Sequence, residues 1–393
     1  PFYQTMPTGV ENSGWLINGK KPNTASAPGI VSAEMTWETV RSWNIGFDFG
    51  LLNNRLTGSF DYFVRNTLDM IGPAPQLPAT LGATVPKVNN ADMKAWGFEV
   101  EVSWRDRIKD FNYGVKFVLS DDQRKVTRYP NEELNRNQWY AGRMDGLVWG
   151  YETVGIAKTD AEMEAHLASL PNGGQSQLGS KWAAGDIMYK DLNGDGKISS
   201  GDGTLNDLGD LKVVANTQLR FKYGLTLDAS WKGFDFSAFF QGVGKRDVVV
   251  GGPYFWGANG QGMWQAAAFK DHMDYFRPED TESVFGPNVD AYYPRVIFGG
   301  GSSEGGKNTL TQSRYVQNGA YIRLKNLQLG YTLPSTITKK FAVNSLRIYV
   351  SGDNLWTGTK MRVFDPEVLG STGDAGKAYP LARVWSVGLN VNF

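Results

Sequence analysis

No cysteine occurs in the 393 residues, which excludes disulfides and thiolate metal sites outright. No apolar run reaches the roughly 18 residues that a membrane-crossing helix requires. A closed barrel, whose backbone groups pair between strands, is the other way to cross a bilayer. Net charge is also missing, with 40 Lys+Arg against 40 Asp+Glu, so the basic stripe of a nucleic-acid binder is not expected. Only two histidines are present, His166 and His272, and neither has the spacing of a zinc ligand or of a nucleophile's base. The opening Pro1-Phe2-Tyr3-Gln4 carries no initiator Met and is no signal peptide. The chain therefore reads as a piece of something longer, or as a processed product.

What is abundant is aromatic and small: 21 Phe, 17 Tyr, 13 Trp and 47 Gly. The aromatics recur every second residue. Trp43, Ile45, Phe47, Phe49 and Leu51 alternate with Asn44, Gly46, Asp48 and Gly50, the pattern of a strand with two different faces. Asn53-Asn54 follows as a turn, then Leu56, Phe60, Tyr62 and Val64. The same period runs through Phe98–Trp104, Phe111–Leu119, Phe234–Phe240, Leu346–Ser351 and the last residues, Trp385 to Phe393. Leu219 to Trp231 alternates without a break and would extend roughly 43 Å at about 3.3 Å per residue, far beyond a usual soluble strand. Ile322 and Leu324 fall out of phase with Leu327, Leu329 and Tyr331, which predicts a β-bulge near Lys325-Asn326. A face of aromatics opposite a face of charge is the signature of a membrane barrel with a wet lumen. A large soluble β-sandwich or propeller also alternates, but with shorter strands.

Connections are of two kinds. Asn53-Asn54 and Lys232-Gly233 are tight, whereas about 120–146, 157–215, 245–318 and 357–381 are long and polar, as expected of periplasmic turns and extracellular loops respectively. Thr159 to Leu170 reads as a short helix within one long loop, with Thr159 and Glu162 at capping-box spacing.

Few motifs carry chemistry. Asp191-Leu-Asn193-Gly-Asp195-Gly196-Lys197-Ile198-Ser199-Ser-Gly-Asp202 has oxygen-bearing residues at the spacing of a calcium loop, with glycine at the sharp turn. Asp191, Asn193, Asp195, the Lys197 carbonyl, Ser199 and Asp202 are the expected ligands of a structural calcium, against the alternative of an Asx-rich turn without metal. Asp202 departs from the glutamate usual at the last position. Phe298 to Asn308 is a near miss to a phosphate-cradling loop, with Asn308 where Ser or Thr should stand, and reads better as a flexible loop. The aromatic and amide-rich run from Pro253 to Trp264 offers Tyr254, Trp256, Asn259 and Trp264 as candidate ligand contacts, or as a surface for a partner protein. Carboxylate pairs such as Glu99 and Glu101 suit a solvated lumen wall better than glycoside cleavage. No catalytic constellation emerges, and the chain is not expected to be an enzyme.

Several blocks share one resemblance. Asp191-Leu-Asn-Gly-Asp-Gly-Lys-Ile198 with Leu208-Gly209, Leu225 to Gly242, Tyr292-Tyr-Pro-Arg295, Gly319 to Leu327, Leu329 to Pro334, Ser351 to Thr357 and Phe364-Asp-Pro-Glu367, ending on Phe393, resemble in order the SusC/RagA-type TonB-dependent transporters. That resemblance implies an all-β fold: an antiparallel transmembrane barrel of about 22 strands filled by a plug. About ten strands are legible here, so the chain would be the C-terminal half, with the plug, the TonB box and the first strands supplied elsewhere. On this reading residues 1–36 form an extracellular loop or entry segment and 37–393 the barrel portion. The resemblance further implies an outer-membrane location, surrounding lipid, a SusD-like surface lipoprotein, the TonB complex acting through the plug, and oligosaccharide or peptide cargo. A secreted calcium-dependent carbohydrate-binding β protein and a passive porin are the competing readings.

Overall fold

The structure is a computed structural model and describes residues 4–10, 14–32, 35–74, 80, 85–259, 268–298, 303–369 and 379–393. Nine strands form the main sheet: β1 (Thr39–Leu51), β2 (Leu56–Ile71), β3 (Asn89–Ile108), β4 (Phe111–Arg128), β5 (Arg220–Trp231), β6 (Phe234–Lys245), β7 (Tyr321–Thr332), β8 (Ser345–Thr359) and β9 (Val384–Asn392). They lie side by side in chain order, and every pair from β4 to β9 is antiparallel. Nine strands stand where about ten were expected.

The connections alternate strictly between the two ends of the sheet. At one end β1–β2, β3–β4 and β5–β6 are joined through 52–55, 109–110 and 232–233, and β7–β8 through 333–344. Asn53 and Asn54 lie at φ 56° and 60°, and Lys232 and Gly233 at φ 44° and 89°, the left-handed pairs that let a hairpin follow the strand twist. At the other end run 72–88, 129–219, 246–320 and 360–383. Two expected boundaries change. β4 continues to Arg128, so the first long connection starts later than residue 120. Leu147–Tyr151 and Thr153–Ile156 are strands, but they pair with Leu211–Asn216 and Ile187–Tyr189 instead of joining the main sheet. The expected loops 120–146 and 157–215 are thus one connection from β4 to β5.

Register makes the two faces explicit. Ala229, Phe236, Leu329, Val350 and Val387 form one row across β5 to β9, and Trp231, Phe234, Tyr331, Ile348 and Leu389 another. These rows are largely exposed: Trp385, Val387 and Leu389 on β9 reach 65%, 76% and 67%. An exposed apolar band of this extent is unfavourable in water, at about 25 cal/mol per Å², and suits hydrocarbon. The row on the other side of the Ala229 row, facing the opposite way, is Asp228, Ser237, Gln328, Ser351 and Ser386. On that polar face Lys116 pairs with Glu101 at 2.7 Å, Lys222 with Asp122 at 2.7 Å, and Arg347 with Asp235. Gly330 lies beneath the Asp235–Arg347 pair, where a side chain would collide with both partners.

The bulge falls where the phase slip placed it. Phe240 faces Leu324 and Phe239 faces Asn326, so Lys325 is the extra residue, and the ladder to β8 shifts at the same point. Lys325 thereby returns Leu327, Leu329 and Tyr331 to the face of Ile322 and Leu324.

By chain contacts the protein divides into two compact units. One, comprising 1–43, 63–96 and 123–144, packs Ala91, Val126 and Tyr129 with Met70, Met93 and Trp139. In it Arg128 bridges Asp92 and Asp69 at 2.7 and 2.8 Å. The other comprises 44–62, 97–122 and 145–393, and its largest core lies in the long connections, around Tyr189, Ile198, Phe255, Tyr293 and Tyr315. Helix α1 (Asp160–Ala168) belongs to it. The Thr159 hydroxyl accepts from Glu162 N at 3.1 Å, and Glu162 Oε2 accepts from Lys158 N at 2.6 Å, one residue before the cap.

Inserting one alanine after Asn326 would turn Leu327, Leu329 and Tyr331 onto the charged face, at a cost of roughly 5 kcal/mol. The full-length variant should lose the fast-migrating, boiling-sensitive form on a denaturing gel. Unchanged migration would mean that the bulge does not set the faces.

Candidate functional site

The loop 191–202 folds around its own acidic side chains. Asp191 accepts from Gly194 N at 2.6 Å and from Gly196 N at 2.9 Å, Asn193 Oδ1 from Asp195 N at 3.0 Å, and Asp195 Oδ1 from Lys197 N at 3.1 Å. Gly196 has φ 78°, the left-handed turn that the motif demands. Ile198 is fully buried and fixes the loop to the core. Ser199 is buried as well, and its N–H donates to Asp210 Oδ2 at 2.7 Å. Asp210, which the motif did not single out, also accepts from Leu192 N at 2.7 Å and so ties both ends of the loop together. Burial raises the Asp210 carboxyl, the two amide donors oppose this, and the charges of Asp191 and Asp195 raise it further. Asp202 is exposed, and its Oδ1 accepts from Thr204 N at 2.8 Å. Among the described residues no three His, Cys, Asp or Glu side chains converge as a ready metal cage. An ion here would need the Asn193 and backbone carbonyl oxygens as well.

The aromatic run is divided. Trp256 is buried, its ring edge-on to Tyr315 at 4.6 Å, so it belongs to the core and is not free to stack on a ligand. Asn259 is buried too, with Oδ1 accepting from Ile297 N at 3.3 Å. Tyr254 is 40% exposed and stacks on Phe269 at 5.7 Å. Trp264 lies outside the described residues. The two histidines are structural: His166 Nε2 meets Gln175 Oε1 at 3.2 Å, and His272 Nδ1 accepts from Phe269 N at 3.0 Å.

Sequence reading missed a buried ionic cluster in the same unit. Asp186 is fully buried and takes both guanidinium bonds of Arg295 at 2.7 Å, the Asn308 amide at 2.8 Å and Lys307 Nζ at 2.9 Å. Lys307 also donates to Lys181 O, pairs with Glu304 and sits 4.5 Å from the centre of the Trp182 ring. Residues 303–308, expected as part of a flexible loop, are therefore anchored, and Lys307 serves a carboxylate in place of a phosphate; 299–302 lie outside the described residues. Gln175, Gln312 and Tyr189 extend the cluster: Gln175 Oε1 accepts from Tyr189 N at 2.6 Å, and Gln312 Nε2 donates to Tyr189 Oη at 3.3 Å.

Beneath the long connections, the polar face of β4, β5 and β6 borders a cavity of about 800 Å³, large enough for a small organic ligand. Beside it Glu99 and Glu101 contribute to a second, smaller recess with Asp61 and Lys222. The carboxylates expected on the lumen wall do line space on the polar face.

Long strands with a lipid-suited face, a charged face and loops gathered at one end define the wall of an outer-membrane β-barrel. The chain belongs to the TonB-dependent receptor family: the family model described as TonB dependent receptor-like, beta-barrel matches residues 3–355. TonB-dependent receptor P3 of Formosa agariphila is 27% identical over 96% of this chain and 36% of its own length. TonB-dependent receptor SusC of Bacteroides thetaiotaomicron is 23% identical over 94% of this chain and 33% of its own. In structure the chain is similar to the RagAB peptide transporter, with a TM-score of 0.69 and 22% identity over 99% of this chain and 38% of that one. The chain thus spans little more than a third of the length of these relatives. It is an outer-membrane protein, and its resemblance to the SusC/RagA type holds.

Glu304 supplies a pH test. Burial works to raise its carboxyl, but the Ser180 hydroxyl and amide and the Lys307 ammonium outweigh it and hold the pKa at about 2. Its stabilisation is complete above the unfolded value of about 4.3 and is lost as pH falls toward 2. Wild type should therefore lose denaturant resistance between about pH 5 and 3 more steeply than Glu304→Gln. Equal slopes would contradict this.

Proposed function

We propose that this chain is the C-terminal barrel portion of an active nutrient importer, completed by further strands and a plug from the rest of the protein. Residues 1–36 and the long connections face the cell exterior, where a SusD-like lipoprotein covers them. Cargo, an oligosaccharide or a peptide, is bound and then admitted when TonB pulls on the plug. Binding and mechanical work, not covalent chemistry, perform the task.

The observation that carries this reading is the sheet itself: nine long strands with an exposed apolar band on one face and ion pairs on the other. A secreted carbohydrate-binding protein would leave that band in water. The relatives named TonB-dependent receptor, SusC and RagAB support import over passive flow. Full-length protein should migrate faster unboiled than boiled, and in sealed liposomes it should not leak small sugars. Identical migration would sink the barrel reading, and rapid unaided flux would favour a porin.

For the loop 191–202 the proposal is one structural calcium held by Asp191, Asn193, Asp195 and the Lys197 carbonyl, with Ser199, Asp202 or the buried Asp210 completing the oxygens. The negative charges of Asp191 and Asp195, close enough to raise the Asp210 carboxyl, support a cation there. Native mass spectrometry should show one ion that EDTA removes and Asp191→Asn abolishes; no bound ion at about 1 mM calcium would refute it.

A further inference from the structure

The cavity under the long connections holds an imbalance. Arg246 is buried, at 6% exposure, and lines it. Its Nη1 and Nη2 donate to Pro366 O at 3.0 Å and Leu369 O at 2.5 Å. No carboxylate among the described residues pairs with it, and its Nε has no hydrogen-bond partner. A buried guanidinium without an anion is costly, because two carbonyl acceptors leave its full charge uncompensated. Two other charges of the wall are matched: Lys222 pairs with Asp122 at 2.7 Å, and Glu367 with Arg323 and Lys325 at 3.0 and 2.9 Å. Asp145, also on the lining, is exposed.

Two further features converge there. Gln218 Oε1 is buried in the lining and also without a partner, an acceptor waiting for a donor. Phe239 breaks the pattern of its face, sharing the polar side of the sheet with Ser237 and Asp228. Its ring lies against Gly224, where even a methyl group would come within 3.2 Å of it. The result is an aromatic wall in the recess that Arg246 and Gln218 also line.

We propose that this cavity is a subsite for the carboxylate end of the cargo: the carboxylate meets Arg246, a neighbouring N–H or O–H donates to Gln218 Oε1, and an apolar or ring face rests on Phe239. The inference rests on the import reading and narrows it to acidic ligands. A peptide C-terminus and an acidic sugar share this chemistry.

The test uses the full-length transporter in detergent and calorimetric titration with two matched pairs of probes. One pair is Gly-Gly-Phe as free acid and as amide; the other is trigalacturonate and neutral trigalactose. In at least one pair the acid should bind roughly tenfold or more tightly than its neutral partner. Arg246→Gln should remove that preference. A preference confined to the peptide pair, or to the sugar pair, supports the subsite and identifies its source. No preference in either pair, or a preference that persists in Arg246→Gln, overturns it. If Arg246→Gln gives no boiling-sensitive band, Gln218→Leu carries the test, since it leaves the Arg246 hydrogen bonds in place. It should weaken acid and neutral probes alike by roughly fivefold, and unaltered binding would overturn the proposal. A wild-type protein without a boiling-sensitive band would defeat the import reading itself, a result distinct from any of these.

Discussion

In hydrocarbon a backbone N–H or C=O has no water to turn to, so each must find its partner on a neighbouring strand. The sheet described here is organised by that requirement. Pairing between strands forces the two-residue alternation, and the alternation forces every strand to choose a face for lipid and a face for water. Where the sequence slips by one residue, a bulge at Lys325 absorbs the slip, because the ladder cannot tolerate the alternative. Long strands, and short turns in three of the four connections at one end, follow from the same need to leave no backbone stranded.

The long connections are governed by different physics. They hold the largest apolar core among the described residues, where Phe255 meets Tyr293 and Trp256 meets Tyr315 edge-on. Inside them Asp186 gathers Arg295, Lys307 and Asn308. A buried carboxylate with so many donors is weak evidence for stability, but it demands one arrangement of chain segments. It joins residue 186 to residues 295 and 308, which lie more than a hundred positions away in sequence. Loops fixed in this way can present a defined surface to a ligand or a partner.

The strands were legible from sequence because membrane burial writes itself as period two. Trp43 to Leu51 and Trp385 to Phe393 needed nothing else. Their extensions were not legible: β4 continues through Asp121, Asp122 and Lys125 to Arg128, where no lipid demands apolar side chains and the alternation fades. The stretch 147–156, left between two expected loops, does hold strands, but their pairing within a loop core instead of the main sheet was not legible, since partners depend on tertiary approach. The loop 191–202 was visible as a motif, but Asp210, which clamps it, was not, because its role depends on tertiary approach. Trp256 looked like a ligand platform by composition; only burial separates a stacking surface from a core residue.

The split between sheet and loops has a consequence for how the molecule opens. A ladder sealed by lipid and a water-exposed loop core are held by separate forces, so they form separate cooperative units. The amides of Ile187 to Tyr189, buried among aromatic rings, belong to the second. Their hydrogen exchange should follow the loosening of the loop core, on a clock independent of the barrel ladder.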